Sequence, residues 1–195
     1  TRALPFVLLG VSGAAAVTAG GWALLDGLKL VQQLPLGLPW MHWHLRLDAL
    51  SGFFFAIVGL LLIAVSFYGP SYVREFEGSK QPLSVLGLFT GLFAAGMLLV
   101  LLADDAFAFM VAWELMSVSS YFLVTYQHQN APNRRAGFLY LLMAHVGALA
   151  ILLGFGVLAS FGSNFTFDAM RAATLAPLWA SIAFALAFFG FGMKA

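Results

Sequence analysis

The sequence predicts an all-α fold, a polytopic transmembrane helical bundle, and three observations support this prediction. Of the 195 residues, 62% are hydrophobic and only 9% are charged, and the mean hydropathy is +0.95. A soluble domain carries about 25% charged residues, so this chain could not cover a water-facing surface. Its apolar residues form runs of about 20, the length that a helix needs to cross the hydrocarbon layer. The sequence shows neither an alternating strand pattern nor an internal repeat.

Six apolar segments are predicted to cross the membrane, because a helix satisfies its own backbone hydrogen bonds in lipid. They are Leu4–Leu25, Ala49–Tyr68, Leu83–Ala103, Ala106–Tyr126, Ala136–Phe161 and Ala176–Met193. Residues 1–195 would then form a single transmembrane domain. Because the chain starts at Thr1 and ends without a stop signal, we expect a fragment of a longer protein. The first segment is also compatible with a signal peptide, although its apolar run is longer than the roughly 7–15 residues typical of one.

The connections have the composition of membrane-surface segments. Residues 28–47 are rich in proline and tryptophan, and indole rings favour the depth of the lipid headgroups. Residues 69–82 carry mixed charges. Asp104 and Asp105 are predicted to be solvated residues of a tight turn between two long apolar runs.

Basic residues in the connections predict the orientation in the membrane. Five of them lie on one side of the predicted topology and three on the other, so the positive-inside rule places the first side in the cytoplasm. The five are Arg2, Arg74, Lys80, Arg134 and Arg135, and the three are Lys29, Arg46 and Arg171.

The composition excludes several kinds of site. The chain contains no cysteine, which excludes disulfides, thiolate metal sites and cysteine-held iron–sulfur clusters. Its four histidines lack metal-ligand spacing, and the sequence shows neither a nucleophile–base pair nor a phosphate-binding loop. The net charge of +1 gives no indication of a nucleic-acid partner. We therefore expect no catalytic residue, cofactor or metal in this chain, and any redox centre would belong to a partner subunit.

Glu114 is the most informative residue, because it interrupts the apolar run from Ala108 to Val124. It lies about 12 Å into its helix, near the bilayer midplane. A charge there costs at least ~2.5–3.5 kcal/mol on insertion scales, so the side chain should face the interior of the bundle. We interpret it as a proton-carrying group, and a purely structural acid is the alternative.

A polar stripe continues from Glu114 towards the end of the same helix. At 100° per residue, Ser117, Tyr121, Thr125 and His128 fall in the sector of Glu114. Such a stripe is what a hydrated half-channel for protons requires, and these four residues are possible relay groups. The alternative is that the hydroxyls bond only carbonyl groups of their own helix. Ser119 and Ser120 lie on other faces and are not expected to join the stripe.

Two further polar residues stand out in the last two segments. Lys194 shares a face with small residues, which let helices approach closely, so it should point to a neighbouring helix. Gly190 and Gly192 weaken the helix just before it, as at the broken helices of transporters. The alternative is a lysine that snorkels to the membrane surface. His145 lies in the middle of the fifth segment, either as a proton relay or as a structural histidine.

These residues resemble a known family. The stretches around Glu114 (WELMSVSSYFLV) and His145 (GFLYLLMAHVGALAIL) and the last residues before Ala195 (ALAFFGFGMKA) are similar to antiporter-like membrane subunits of the respiratory complex I superfamily. The likeness is strongest to the component B subunits of hydrogenase 4, of the formate hydrogenlyase type. LRLDALSGFF (45–54) and SYVREFEG (71–78) add to it, so that it extends over about 150 residues.

The resemblance implies a subunit of about 14 helices in two inverted repeats, each with a broken helix. The family's first half-channel uses a glutamate and, two spans later, a lysine on the broken helix, and Glu114 and Lys194 match these positions. The family acid lies on the fifth helix, whereas here it lies on the fourth predicted segment. One N-terminal helix and the second repeat would therefore lie outside this sequence.

From these observations we predict a proton-translocating membrane subunit of a redox-driven complex, either an energy-converting hydrogenase or a complex I-like NADH:quinone oxidoreductase. Its partners would be other membrane subunits and a peripheral redox arm with nickel–iron, iron–sulfur or flavin centres. Its location would be the bacterial inner membrane. The alternatives are a subunit of a multisubunit Na⁺/H⁺ antiporter and a structural membrane scaffold.

Overall fold

A computed structural model describes residues 3–27, 29–39, 41–76 and 82–194. Arg2 and Lys80, which contribute to the orientation prediction, lie outside the described residues. The chain order of the elements is α1 (Leu4–Leu25), β1 (Leu30–Leu38), β2 (Met41–Leu47), α2 (Ala49–Tyr72), a short 3₁₀ turn (Val73–Phe76), α3 (Leu83–Leu102), α4 (Ala106–Val124), α5 (Ala131–Phe161), α6 (Phe167–Ala172) and α7 (Pro177–Gly192).

The helical bundle is confirmed, with a correction to the number of spans. Among the described residues, five helices, α1 to α5, are long and apolar enough to cross a membrane. The sixth predicted segment forms α7, which has only 16 residues. At 1.5 Å per residue this helix is about 24 Å long, shorter than the hydrocarbon layer of about 30 Å. The helix is therefore too short to cross this layer by itself, and Lys194 lies two residues after its end.

The prediction that the chain has no strand pattern is wrong. Strands β1 and β2 form an antiparallel hairpin in which Leu30 pairs with Leu47 and Leu38 with Met41. The second strand, MHWHLRL, alternates apolar and polar residues, which is the pattern of a strand with one buried face. The first strand does not alternate regularly. Its register shifts between Leu34 and Gly37, and Pro35, which lies between them, has no N–H to donate.

Asp104 and Asp105 are buried, so the prediction that they are solvated is also wrong. The Asp105 carboxylate accepts hydrogen bonds from the backbone N–H of His44 (2.6 Å) and of Ala108 (2.7 Å). The second bond caps α4, and the first fastens the hairpin to the turn. Asp105 is only 1% exposed, and the two backbone N–H groups give its carboxylate the hydrogen bonds that water would otherwise supply.

Asp104 is held differently, by a cation. Its carboxylate lies 3.0 Å from the Arg46 guanidinium as an ion pair, and Arg46 also reaches Asp168 on α6 at 3.2 Å. Burial raises the pKa of Asp104, while the nearby Arg46 charge opposes this rise. Arg46 thus connects the hairpin, the α3–α4 turn and α6 at one end of the bundle, which we call the hairpin end.

Glycines allow α1 and α2 to pack with their backbones in close contact. The two helices run antiparallel, and Gly13 faces Gly59 while Gly20 faces Gly52. A Cβ atom built on Gly20 would lie 2.4 Å from the carbonyl oxygen of Gly52. In lipid, helices gain little from hydrophobic burial, so this close packing is a main source of their association.

Replacement of Gly20 by alanine should separate these two helices. Because the added methyl group would overlap a backbone oxygen, we expect Gly20→Ala to destabilise the bundle by about 1–3 kcal/mol. Gly21→Ala is the matched control, since a Cβ there meets no atom within 4 Å. Thermal unfolding in mild detergent would measure both variants, and equal midpoints would contradict this account of the interface.

Candidate functional site

The candidate site lies where α4 packs against α5 and where the turn after α7 reaches both. The α4 helix begins at the Asp105 cap and places Glu114 in its third turn, close to the middle of the span. Glu114 is partly buried: its Oε2 atom faces α5, and its Oε1 atom is buried without a hydrogen-bond partner. The Glu114 carboxyl group thus turns towards α5, while 34% of its side chain remains exposed.

His145 on α5 is the ionisable partner of Glu114. The His145 Nε2 atom lies 3.4 Å from Glu114 Oε2, and the Nδ1 atom lies 2.9 Å from the carbonyl oxygen of Leu141. The sequence suggested His145 as a possible relay without indicating this contact. Helices α4 and α5 run antiparallel, and only their packing reveals that residues 114 and 145 meet.

Lys194 points to neighbouring helices, as its position on a face of small residues predicted. Its Nζ atom donates to Ser117 Oγ at 2.5 Å and to Tyr140 OH at 3.3 Å. Among the described residues, Lys194 makes no direct ion pair with Glu114. The two groups nevertheless lie close together, because Ser117 is less than one helical turn from Glu114.

Tyr140 is a site residue that the sequence analysis missed. It contacts Lys194, and its hydroxyl group forms a very short hydrogen bond with Ser120. Ser120 was not expected to join the polar stripe, and on α4 alone it does not. The hydrogen bond to the Tyr140 hydroxyl of α5 connects Ser120 to the cluster. The available signal was a single tyrosine within the apolar sequence of α5, which is weak without a known partner.

The hydroxyl groups of α4 also bond their own helix, as the alternative interpretation proposed. Ser117 donates to the carbonyl oxygen of Trp113 (2.8 Å), and Thr125 donates to that of Tyr121 (2.8 Å). Ser117 has no exposed surface, yet its oxygen still accepts a hydrogen bond from Lys194. Ser117 therefore has both roles, whereas the Thr125 bond is confined to its own helix.

The outer half of the predicted stripe lines a cavity. Tyr121, Thr125 and His128 border a space of about 450 Å³ that also includes Arg134. This cavity opens at the end of the bundle opposite the hairpin, beside the basic connection between α4 and α5. The structure thus places the four stripe residues in two groups. Ser117 is hydrogen-bonded to Lys194, and the other three line the cavity.

Aromatic rings close the opposite side of Lys194. The Nζ atom lies 5.4 Å from the centre of the Trp113 ring, a distance at which a cation is attracted to the face of the ring. Trp113 packs in turn on Phe109 and Phe191. The ammonium group is thus held by two hydroxyls and aromatic faces rather than by a carboxylate.

The position of Lys194 depends on two glycines. Gly147 of α5 and Gly190 of α7 touch, and a Cβ atom built on Gly190 would lie 2.7 Å from the Gly147 carbonyl oxygen. This contact brings the last turn of α7 against α5, immediately before the lysine. By contrast, Gly192 has open space around it.

In the described part of the chain, no group of three or more histidines, cysteines or acids could hold a metal ion. The polar groups that converge are one carboxyl, one imidazole, one ammonium and three hydroxyls. Their common chemical ability is to accept, hold and donate protons.

Comparison with known proteins identifies the family to which this segment belongs. The family described as NADH:quinone oxidoreductase/Mrp antiporter, TM, matches residues 103–195. Hydrogenase-4 component B of Escherichia coli (strain K12) is 36% identical over 185 residues, which are 95% of this chain and 27% of that protein. Putative antiporter subunit mnhA2 of Staphylococcus aureus (strain MRSA252) is 35% identical over 148 residues, 72% of this chain and 18% of that protein. The chain thus spans about a quarter or less of the length of these relatives.

Solved structures share the fold at lower sequence identity. A chain of the membrane-bound sulfane sulfur reductase, an archaeal respiratory membrane complex, superposes with a TM-score of 0.76 at 14% identity, covering 96% of this chain and 38% of that one. A chain of the Mrp complex from Dietzia sp. DQ12-45-1b also gives 0.76, at 22% identity, covering 97% of this chain and 35% of that one.

The resemblance inferred from the sequence is confirmed, and it includes the segment that carries Glu114, His145 and Lys194. Residues 103–195 belong to the NADH:quinone oxidoreductase/Mrp antiporter family, and the chain is a multi-pass, antiporter-like membrane protein of the complex I and Mrp type.

Proposed function

We propose that this chain forms a proton-translocating half-channel in a redox-driven complex of the bacterial cytoplasmic membrane, with Glu114 and Lys194 as its proton carriers. The observation that supports this proposal is that Lys194 donates to Ser117 on α4, less than one helical turn from Glu114, so that both ionisable groups belong to one cluster. Ionisable groups in a membrane are costly and commonly mark proton pathways. A scaffold would not need two of them.

The proposed mechanism is coupled titration. When two ionisable groups lie close together in a low dielectric, the charge of one changes the proton affinity of the other. Movement of Lys194 between its hydroxyl partners and Glu114 would therefore change how strongly Glu114 holds a proton. A distant redox event can drive this movement without any chemistry in this chain.

The cavity beside Tyr121, Thr125 and His128 supports an entry route from the basic end of the bundle. The cavity contains hydroxyl and imidazole groups next to Arg134, and it begins on the same helix that carries Glu114. Because the end with more basic residues is the cytoplasmic side by the positive-inside rule, protons would enter from the cytoplasm.

Glu114→Gln should abolish proton translocation and leave assembly of the complex intact, because the amide keeps the shape of the side chain but cannot carry a proton. Glu114→Asp is the matched control, and it should retain part of the activity. The measurement is acidification of inside-out membrane vesicles, together with the size of the purified complex. Normal translocation by Glu114→Gln would contradict the proposal.

The scaffold alternative makes a different prediction for a double variant. If Glu114 and Lys194 were a fixed structural pair, neutralising both groups would restore what neutralising one removes. Because the lysine is held by hydroxyls rather than by the acid, Glu114→Gln/Lys194→Met should stay inactive in the same vesicle measurement.

The placement of Lys194 can be tested without changing any ionisable group. Gly190→Ala would push α7 away from the Gly147 backbone, so we expect translocation to fall at least about tenfold as the lysine leaves its partners. The matched control is Gly192→Ala, whose methyl group would meet open space. Equal vesicle acidification by the two variants would show that the close contact does not position the lysine.

A second candidate function is favoured by the relatives themselves. One similar protein is described as a putative antiporter subunit, and one similar structure is an Mrp complex. The second candidate function is therefore exchange of H⁺ against Na⁺, which would need no redox partner. The identity to Hydrogenase-4 component B favours the hydrogenase type. Under that proposal, nickel–iron and iron–sulfur centres lie on partner subunits, whereas the partner subunits of the complex I type would carry flavin and iron–sulfur centres.

The composition of the native complex distinguishes these possibilities. The complex would be purified in mild detergent and assayed for nickel, iron and flavin in the same sample. We expect nickel with iron and no flavin, which indicates a hydrogenase arm. Flavin with iron and no nickel would instead indicate a complex I-type partner. The absence of all three would overturn the redox proposal in favour of a cation/proton antiporter.

A further inference from the structure

The contact between His145 and Glu114 restricts where protons can be. The Nδ1 atom of His145 lies 2.9 Å from the Leu141 carbonyl oxygen, which can only accept a hydrogen bond. Nδ1 must therefore carry a hydrogen. The free position of the imidazole ring is then Nε2, the atom that faces Glu114 Oε2 at 3.4 Å.

This geometry is unfavourable when no proton lies between the two side chains. A neutral ring with hydrogen on Nδ1 presents the Nε2 lone pair to a carboxylate oxygen, and the two repel each other. One added proton removes this conflict in either of two ways. It can sit on Nε2, giving an imidazolium beside a carboxylate, or on Oε2, giving a carboxylic acid that donates to a neutral ring.

We propose that Glu114 and His145 act as a dyad that shares one proton, so that His145 is the immediate proton donor and acceptor of Glu114. In the transfer step the Nε2–H bond breaks and the Oε2–H bond forms, and the charges of ring and carboxylate disappear together. The separation of 3.4 Å slightly exceeds a hydrogen bond, so a small closure of the side chains precedes each transfer. The inference rests on the proposed role of Glu114 as a proton carrier.

The surroundings of the dyad explain how Lys194 could control it. Lys194 is kept on Ser117 and Tyr140, so in this arrangement the acid is paired with the histidine rather than with the lysine. The α5 helix supplies both restraints, His145 for the acid and Tyr140 for the lysine. Movement of the ammonium group towards Glu114 would favour the carboxylate and send the shared proton to His145.

The dyad lies on a face of α4 and α5 that the rest of this chain does not fully cover. The His145 side chain is 50% exposed and that of Glu114 34%. Apart from the dyad itself, the ionisable groups of the packed elements near it are Tyr140 on α5 and Lys194 after α7. The α3 helix contributes none. Any pH dependence of the dyad therefore involves these four groups.

His145→Gln tests the inference directly. A glutamine amide can still donate a hydrogen bond to Glu114, but it cannot take up or release a proton at neutral pH. We expect vesicle acidification to fall at least about tenfold, since a positioned proton-transfer group contributes roughly 10²–10⁴-fold in enzymes. His42→Gln on the hairpin, whose side chain is exposed, is the matched control and should be unchanged.

The outcomes separate this inference from the proposed function. If Glu114→Gln is inactive and His145→Gln translocates normally, the dyad is wrong while the proposed function stands. If Glu114→Gln itself translocates normally, the proposed function is wrong and the dyad has no role in transport.

A measurement on the unsubstituted histidine covers the case in which His145→Gln does not assemble. Infrared difference spectra of the native complex minus Glu114→Gln, recorded as a function of pH, report the Glu114 carboxyl and the imidazole ring together. A shared proton predicts that the carboxyl and ring bands change in the same pH step. Changes in two separate steps, or no ring change, would overturn the dyad.

Discussion

Inside the hydrocarbon layer there is no water to satisfy a polar group, and this constraint determines most of the contacts that this chain makes. A polar side chain of the membrane region is therefore stabilised by a partner within the protein. Ser117 therefore donates to its own helix and accepts from Lys194 at the same time, and Glu114 is matched with His145. The polar residues form one cluster because separate burial would cost each of them several kcal/mol.

Close packing of backbones makes this cluster possible. Lys194 reaches α4 only because Gly147 and Gly190 let α5 and α7 touch, and the same device joins α1 to α2. A Cβ atom at these positions would separate the helices and lengthen the distances between the polar groups. Small residues in this chain thus act on function indirectly, by setting where the ionisable groups meet.

The two ends of the bundle differ in how firmly they are held. At the hairpin end, Asp105 accepts two backbone N–H groups and Arg46 joins three segments, so polar contacts fix the hairpin, the α3–α4 turn and α6 together. The opposite end contains the cavity beside His128. Polar contacts therefore join three segments at the hairpin end, whereas polar side chains border a cavity at the opposite end.

The sequence by itself determined the membrane location, the approximate bounds of five spanning helices, and Glu114 and Lys194 as the ionisable groups to examine, because hydropathy and charge are local properties. It did not determine that Asp105 is buried, nor that the first strand pairs with the second around a bulge. Only the tertiary structure decided that Glu114 meets His145 and that Tyr140 holds Lys194. These contacts join residues 31 and 54 positions apart, and helix packing, which no local pattern encodes, brings them together.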